Sequence, residues 1–230
     1  MIVYGRRAVR ELVRGRRRAT RIWATARAGR EPWLRAAAVE PADPVELEGI
    51  CGSPDHQGVC AEAEPYPYAG AERLLAAPEP LIVVLDEIQD PQNLGAVCRT
   101  AEAAGVTGVV LPERRSAHVS AAVCRASAGA VEHLAVARVR NLADFLAAAK
   151  RAGCWCYGAA ADASVDYGTP DFRGGVVLVL GSEGRGLRPR VAAACDQLLR
   201  IPLRGRTESL NVSAAAAVLL YRILQRREGT

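Results

Sequence analysis

No apolar run in this 230-residue chain approaches the ~18 residues that a membrane-spanning helix requires. The opening stretch, MIVYGRRAVRELVRGRRR, has no uninterrupted apolar segment either, so it does not read as a secretory signal. The seven cysteines are odd in number and scattered, which fits a reducing cytosol and no disulfide framework. Cys154 and Cys156 form a C-x-C, but no second pair completes a zinc site. His56, His118 and His133 lie far apart, so no metal is expected. Three familiar fingerprints are also missing. The first strand-to-helix turn lacks G-x-G-x-x-G, GSEGRG lacks the Lys-Ser/Thr of a phosphate-binding loop, and G-x-S-x-G does not occur. These absences argue against a dinucleotide enzyme, an NTPase and a serine hydrolase.

Half the residues are apolar, enough for a packed core. The net charge of +5 is unevenly placed. Residues 1–40 carry eleven arginines against three glutamates, a surplus of eight that the rest of the chain reduces by three. Arg6, Arg10, Arg14 and Arg17 recur at helical spacing opposite Val9, Leu12 and Val13. This pattern predicts an amphipathic helix whose basic face suits RNA phosphates. The plain alternative is a solvated face in a protein that uses arginine almost everywhere and has one lysine, Lys150.

A mixed basic segment, 1–62, is followed by AEAEPYPYAGAERLLAAPEP, whose prolines mark a linker over 63–80. From Leu81 onward, short apolar strands alternate with helices: LIVVLDE, NLGAVCRTAEAAG, GVVLP, VSAAVCRASAG, LAVARV, NLADFLAAAKRAG, CWCYGAAA, GGVVLVLG, PRVAAACDQ and LLRIPL. A long helix over 211–227 closes the chain. The order predicts an α/β fold with a parallel sheet covered by helices on both faces. Ligands of such sheets bind beyond the carboxyl ends of the strands. Three of these ends are rich in polar residues: DEIQDPQNLGAVCRTAE, GSEGRGL and IPLRGRTESLNVSAAAA. Asp90 and Pro91 read as the cap and first position of the helix that follows the first strand.

Together these three segments resemble the SpoU (TrmH-like) family of RNA 2′-O-ribose methyltransferases. The matching residues are Asn93, Gly95, Arg99, Thr100 and Ala101, then LVLGSEGRGL at 178–187, then IPLRGRTESLNVSAAAAVLLY at 201–221. RASAGAVEH at 125–133 is similar as well. VYGRRAVRELV and DHQGVCAE resemble the ends of the small L30e-like substrate-binding domain found in the RlmB-like branch, with the middle, around 25–45, compressed.

The resemblance implies an S-adenosyl-L-methionine-dependent cytoplasmic enzyme with a C-terminal trefoil knot, working as a homodimer through the 81–230 domain. It also implies an rRNA substrate, with a guanosine of 23S rRNA as target. A tRNA, or the rRNA site of thiostrepton resistance, is the alternative. A non-catalytic RNA-binding or ribosome-assembly protein is the alternative of another class. By the family pattern Gly181, Glu183, Ile201, Leu203, Ser209 and Leu210 hold the cofactor. Arg99, Asn93, Glu183, Ser209 and Asn211 form the catalytic set, with Glu183 orienting Arg99 or Asn211. Arg6, Arg10, Arg14 and Arg17 would meet RNA, and Arg206 and Glu208 would meet RNA or the partner subunit. A guanidinium is almost never neutral. Arg99 is therefore expected to bind phosphate and steady a forming alkoxide, not to act as a simple base.

Overall fold

The computed structural model describes residues 1–229. The N-terminal segment builds a four-stranded sheet from β1 (Ile2–Tyr4), β2 (Ala19–Ala24), β3 (Val39–Pro41) and β4 (Val59–Ala63). The spatial order is β1-β4-β2-β3, with β4 antiparallel to both neighbours and β2 parallel to β3. Helix α1 (Arg6–Arg14) buries Ala8, Val9 and Leu12 against it. Helix α2 (Pro44–Cys51) starts in a capping box between Asp43 and Glu46. Two single 3₁₀ turns, Ala28–Arg30 and Pro32–Leu34, fill the compressed middle.

One member of the expected basic face is misplaced. Helix α1 stops at Gly15, and Arg17 lies beyond it, 5% exposed. Its guanidinium is paired with Glu132, a residue of the other sheet's helical layer that is itself buried, and donates to Glu64 O at 3.1 Å. Burial would lower the Arg17 pKa, but the hydrogen bond and charge of Glu132 outweigh it and hold it above its ordinary value. Arg17 therefore ties the chain together and is not available to RNA.

The segment 63–80 is not a free linker. Ala69 donates to Val136 O at 2.8 Å and extends the edge of the second sheet. The Tyr66 hydroxyl donates to Leu134 O at 2.6 Å, and the Tyr68 hydroxyl accepts from Val119 N at 2.9 Å. A short helix, α3 (Ala71–Leu75), seats buried Leu74 under the sheet.

That second sheet has seven parallel strands: β5 (Leu81–Asp86), β6 (Gly108–Pro112), β7 (Val136–Val139), β8 (Trp155–Ala159), β9 (Val165–Asp166), β10 (Val176–Gly181) and β11 (Gln197–Arg200). Their order is β7-β6-β5-β10-β8-β11-β9. Alternate residues face opposite layers, as a pleated strand requires. Val83, Leu85, Val109, Leu178 and Leu180 pack with α4 (Pro91–Ala103), α5 (Ala121–Ala126) and α8 (Val212–Arg227). Ile82, Val84, Val110, Val177 and Val179 pack under α6 (Leu142–Arg151) and α7 (Pro189–Ala194). The expected α/β class and the cap at Asp90 and Pro91 are observed. The strand read as LLRIPL stops at Arg200, ahead of Pro202, and the two-residue edge strand β9 was not foreseen.

The first apolar layer is continuous with the N-terminal core, since Val3, Val9 and Leu12 share one cluster with Leu94, Val123 and Val131. A chain beginning near Glu79 would expose that half of the cluster, so residues 81–230 are not expected to fold on their own.

Helices α4 and α5 meet at Gly95. A Cβ there would lie 2.4 Å from Ala126 Cβ and 2.9 Å from Ser127 N, so α4 rests on α5 without room for a methyl group. Gly95→Ala gains up to about 1 kcal/mol of helix propensity. Overpacking against backbone costs about 1–3 kcal/mol. A lower urea midpoint is the expected result; a higher one would show that the helices separate freely.

Candidate active site

The site begins with register. Strands β5 and β10 are neighbours, and Asp86 pairs with Gly181 at their carboxyl ends. Residues 87–93 and 182–186 therefore emerge side by side. The Asp86 carboxylate, 1% exposed, accepts from Arg188 N at 2.8 Å and from its Nε at 2.7 Å. This pins the far end of the glycine turn back onto β5. Within the turn, Ser182 and Gly186 exchange backbone hydrogen bonds of 3.1 and 2.9 Å. Gly184 and Gly186 take positive φ, where a side chain is strained. At Gly181 a Cβ would lie 2.1 Å from Gly186 C, so a larger residue would break the turn itself before it met any ligand.

Three segments converge on one carboxylate. Asn93, in the first turn of α4, donates Nδ2 to Glu183 Oε1 at 3.2 Å. Asn211 Nδ2 donates to the same oxygen and to Asn93 Oδ1, the latter at 3.0 Å. Asn211 Oδ1 meanwhile accepts from Ser213 N at 2.9 Å and caps α8. Helix α8 packs along α4, which brings position 211 back to the β5–β10 ends although β11 lies beyond β8. Beside this network is a cavity of about 290 Å³ lined by Glu87, Asp90, Asn93, Glu183 and Arg185, among others.

Other expected residues fall elsewhere. Ser209 is exposed and makes no hydrogen bond among the described residues; Asn211 alone supplies the cap. Ile201 is half-buried, while Leu203 and Leu210 are each 37% exposed in a loop without regular structure. Arg206 and Glu208 are exposed on the same loop. Glu183 bonds Asn93 and Asn211 but not Arg99. Arg99 is exposed and, with Gln92 seven residues earlier on the same face of α4, lines a larger cleft of about 960 Å³. That cleft lies between the two sheets, and Arg6 and Arg10 line its other wall. Arg6 pairs with Glu31 and Arg10 with Glu11, while Arg14 lies 3.8 Å from Glu11. Sequence reading missed Arg188, Trp33 and the part that Arg125 plays in the cleft wall. Only Arg125 carried a signal, in the RASAGAVEH motif. Among the described residues no cluster of three His, Cys, Asp or Glu could hold a metal.

Comparison with known proteins agrees with this architecture. Residues 80–221 match the model of the SpoU rRNA methylase family, and residues 2–69 match an RNA 2′-O ribose methyltransferase substrate-binding model. A tRNA/rRNA methyltransferase of Synechocystis sp., slr0955, described as uncharacterized, is 39% identical over 98% of this chain, which spans 62% of that relative's length. The 23S rRNA (guanosine-2′-O-)-methyltransferase RlmB of Xanthomonas campestris is 44% identical over 80% of this chain and 76% of its own. Among solved structures, the SpoU methyltransferase AviRb of Streptomyces viridochromogenes superposes with a TM-score of 0.83 at 26% identity, covering 100% of this chain and 90% of that one. An AdoMet-bound rRNA methyltransferase of Sinorhizobium meliloti gives 0.81 at 26% identity, over 98% and 87%. The chain belongs to the SpoU rRNA methylase family of S-adenosylmethionine-dependent RNA 2′-O-ribose methyltransferases, and carries that family's substrate-binding region ahead of its methylase region.

Proposed function

We propose that this chain methylates a ribose 2′-hydroxyl of RNA, with a guanosine of 23S rRNA as the target. The observation that carries the reading is the Asn93–Glu183–Asn211 network, which joins three distant motif segments at the carboxyl end of the sheet. The intact network speaks against a non-catalytic RNA-binding role. The rRNA target is supported by relatives such as RlmB of Xanthomonas campestris, which align across much of the chain. The matched substrate-binding region supports an RNA partner.

The residues present fit the cofactor. The turn at 182–186 has open space above Gly184 and Gly186, and Leu203 and Leu210 offer exposed apolar surface in the adjacent loop. Gly181, Glu183, Ile201, Leu203, Ser209 and Leu210 would hold it. When bound, S-adenosylmethionine supplies an electrophilic methyl group. Glu183 takes both asparagine donors on Oε1, which leaves Oε2 to accept from the ribose hydroxyl, orient it and take up its proton as the oxygen–methyl bond forms. Arg99 stays cationic, holds the neighbouring phosphate and steadies the developing alkoxide.

The finer architecture belongs to the same reading. Segments 1–62 and 81–230 act as substrate-binding and methylase domains, joined by the packed segment 63–80. The stretch from 201 through α8 forms the trefoil knot. Ala214, Val218 and Tyr221 make an exposed stripe on α8, which supplies the apolar surface of a homodimer. No described helix is long and apolar enough to cross a membrane. With rRNA as the substrate, the proposed compartment is the cytoplasm.

Mapping of 2′-O-methylation in total RNA from cells with and without the gene tests the target. One 23S rRNA guanosine should lose its methyl group. A site lost from tRNA instead would redirect the proposal, and an unchanged map would end it.

A further inference from the structure

We infer that the large cleft between the two sheets seats the target nucleotide, unstacked from its RNA, and that Trp33 is the surface on which its base stacks. The inference rests on the methyl-transfer reading above and names the subsite that reading leaves open.

The cleft, at about 960 Å³, lies near the upper end of ordinary ligand pockets, so a nucleotide has room. Its walls come from both parts of the chain. Arg6, Arg7, Arg10 and Trp33 form one, and Arg99 and Arg125 form the other. Most of these arginines are engaged: Arg6 with Glu31, Arg10 with Glu11, and Arg125 with Asp55 at 2.7 Å. Arg7 and Arg99, one on each wall, have no hydrogen bond or ion pair among the described residues. Two uncommitted guanidinium groups facing one space suit the phosphates on either side of a single nucleotide.

The same cleft is lined by a tryptophan, in a chain with few aromatic residues. The three tryptophans sit in different settings. Trp23 is already covered by the Arg21 guanidinium at 4.7 Å. Trp155 stacks near Tyr157 at the amino end of β8, away from the site. Trp33 sits in a single 3₁₀ turn beside buried Leu34, is backed by the apolar core and lines the cleft. A ring backed by core and open on one side is a stacking platform. Because it stands inside a concavity, only a base swung out of its own stack reaches it. The reacting centre is adjacent: Gln92 lines this cleft, while Asn93, the next residue, enters the network with Glu183. A ribose between the two would carry its base toward Trp33.

Full-length Trp33→Ala and Trp33→Phe, assayed on an unmodified 23S rRNA transcript, test the assignment. Loss of one base stack should raise the alanine variant's KM by roughly tenfold or more. Its kcat and its affinity for S-adenosylhomocysteine should stay within about twofold, and phenylalanine should restore most of the KM. Separately, a single-stranded RNA hexamer should quench the tryptophan fluorescence of the wild-type chain, and Trp33→Phe should remove that quench. Arg7→Ala, at an exposed position, should raise the same KM and keeps the test readable if Trp33→Ala lowers stability. Unchanged KM in both Trp33→Ala and Arg7→Ala would overturn the inference while leaving the activity intact. A hexamer quench that depends on Trp33, in a protein that methylates no RNA, would instead overturn the activity and leave the cleft standing.

Discussion

Arg99→Ala should slow single-turnover methyl transfer by about 10²–10³-fold, the usual loss when one donor to a developing oxyanion is removed. The fold and the affinity for S-adenosylhomocysteine should change little, because Arg99 is exposed and bonds nothing among the described residues. Arg99→Lys should be poor as well, since a point charge does not reproduce a planar fork of donors. A side chain so uncommitted in the free protein is expected to find its partner only when RNA enters the cleft. The effect should therefore fall on the chemical step and on RNA binding, and not on stability. Near-normal turnover in either variant would remove Arg99 from the reacting centre.

Arg17→Ala should show the opposite profile. It leaves the Glu132 carboxylate, whose side chain is 1% exposed, buried without its partner. Breaking such a pair from one side costs about 3–5 kcal/mol. The loss reaches further than one contact. The guanidinium also holds Glu64 O and lies 5.8 Å from the Tyr66 ring, whose hydroxyl bonds Val131 O and Leu134 O. Urea unfolding should give a midpoint lowered by that free energy, and the double variant Arg17→Met, Glu132→Leu should recover most of it, since no charge is then stranded. A single-variant loss below about 1 kcal/mol would mean that water reaches Glu132 and that the Arg17 pair adds little to the joint between the two sheets.

The methylase half was legible because its signals are local. Strands of four to six residues alternating with amphipathic helices prescribe a parallel sheet. Asp90 and Pro91 announce α4, and the motif segments fall at strand ends as a parallel sheet requires. What escaped the sequence depends on contacts between distant positions. Gly95 matched a motif, but its physical reason is the backbone of residues 126–127 lying against it. Arg17 was read onto a helix that Gly15 in fact ends, and its partner is 115 residues away. The short helix α3 hides among prolines, and its Leu74 finds a core that only the folded sheet provides. The position of Arg99 in a cleft with Arg6 and Trp33 follows from the docking of two sheets, which no spacing rule encodes.

Whether this site moves a methyl group to a ribose oxygen can be read from the RNA product. Purified protein would be incubated with methyl-tritiated S-adenosylmethionine and an unmodified 23S rRNA transcript, and the RNA then hydrolysed completely in alkali. A 2′-O-methyl group removes the hydroxyl that alkaline cleavage needs, so tritium is expected in alkali-resistant dinucleotides, and none when Asn93, Glu183 or Asn211 is replaced by alanine. Tritium recovered in mononucleotides would place the methyl group on a base and contradict transfer to ribose.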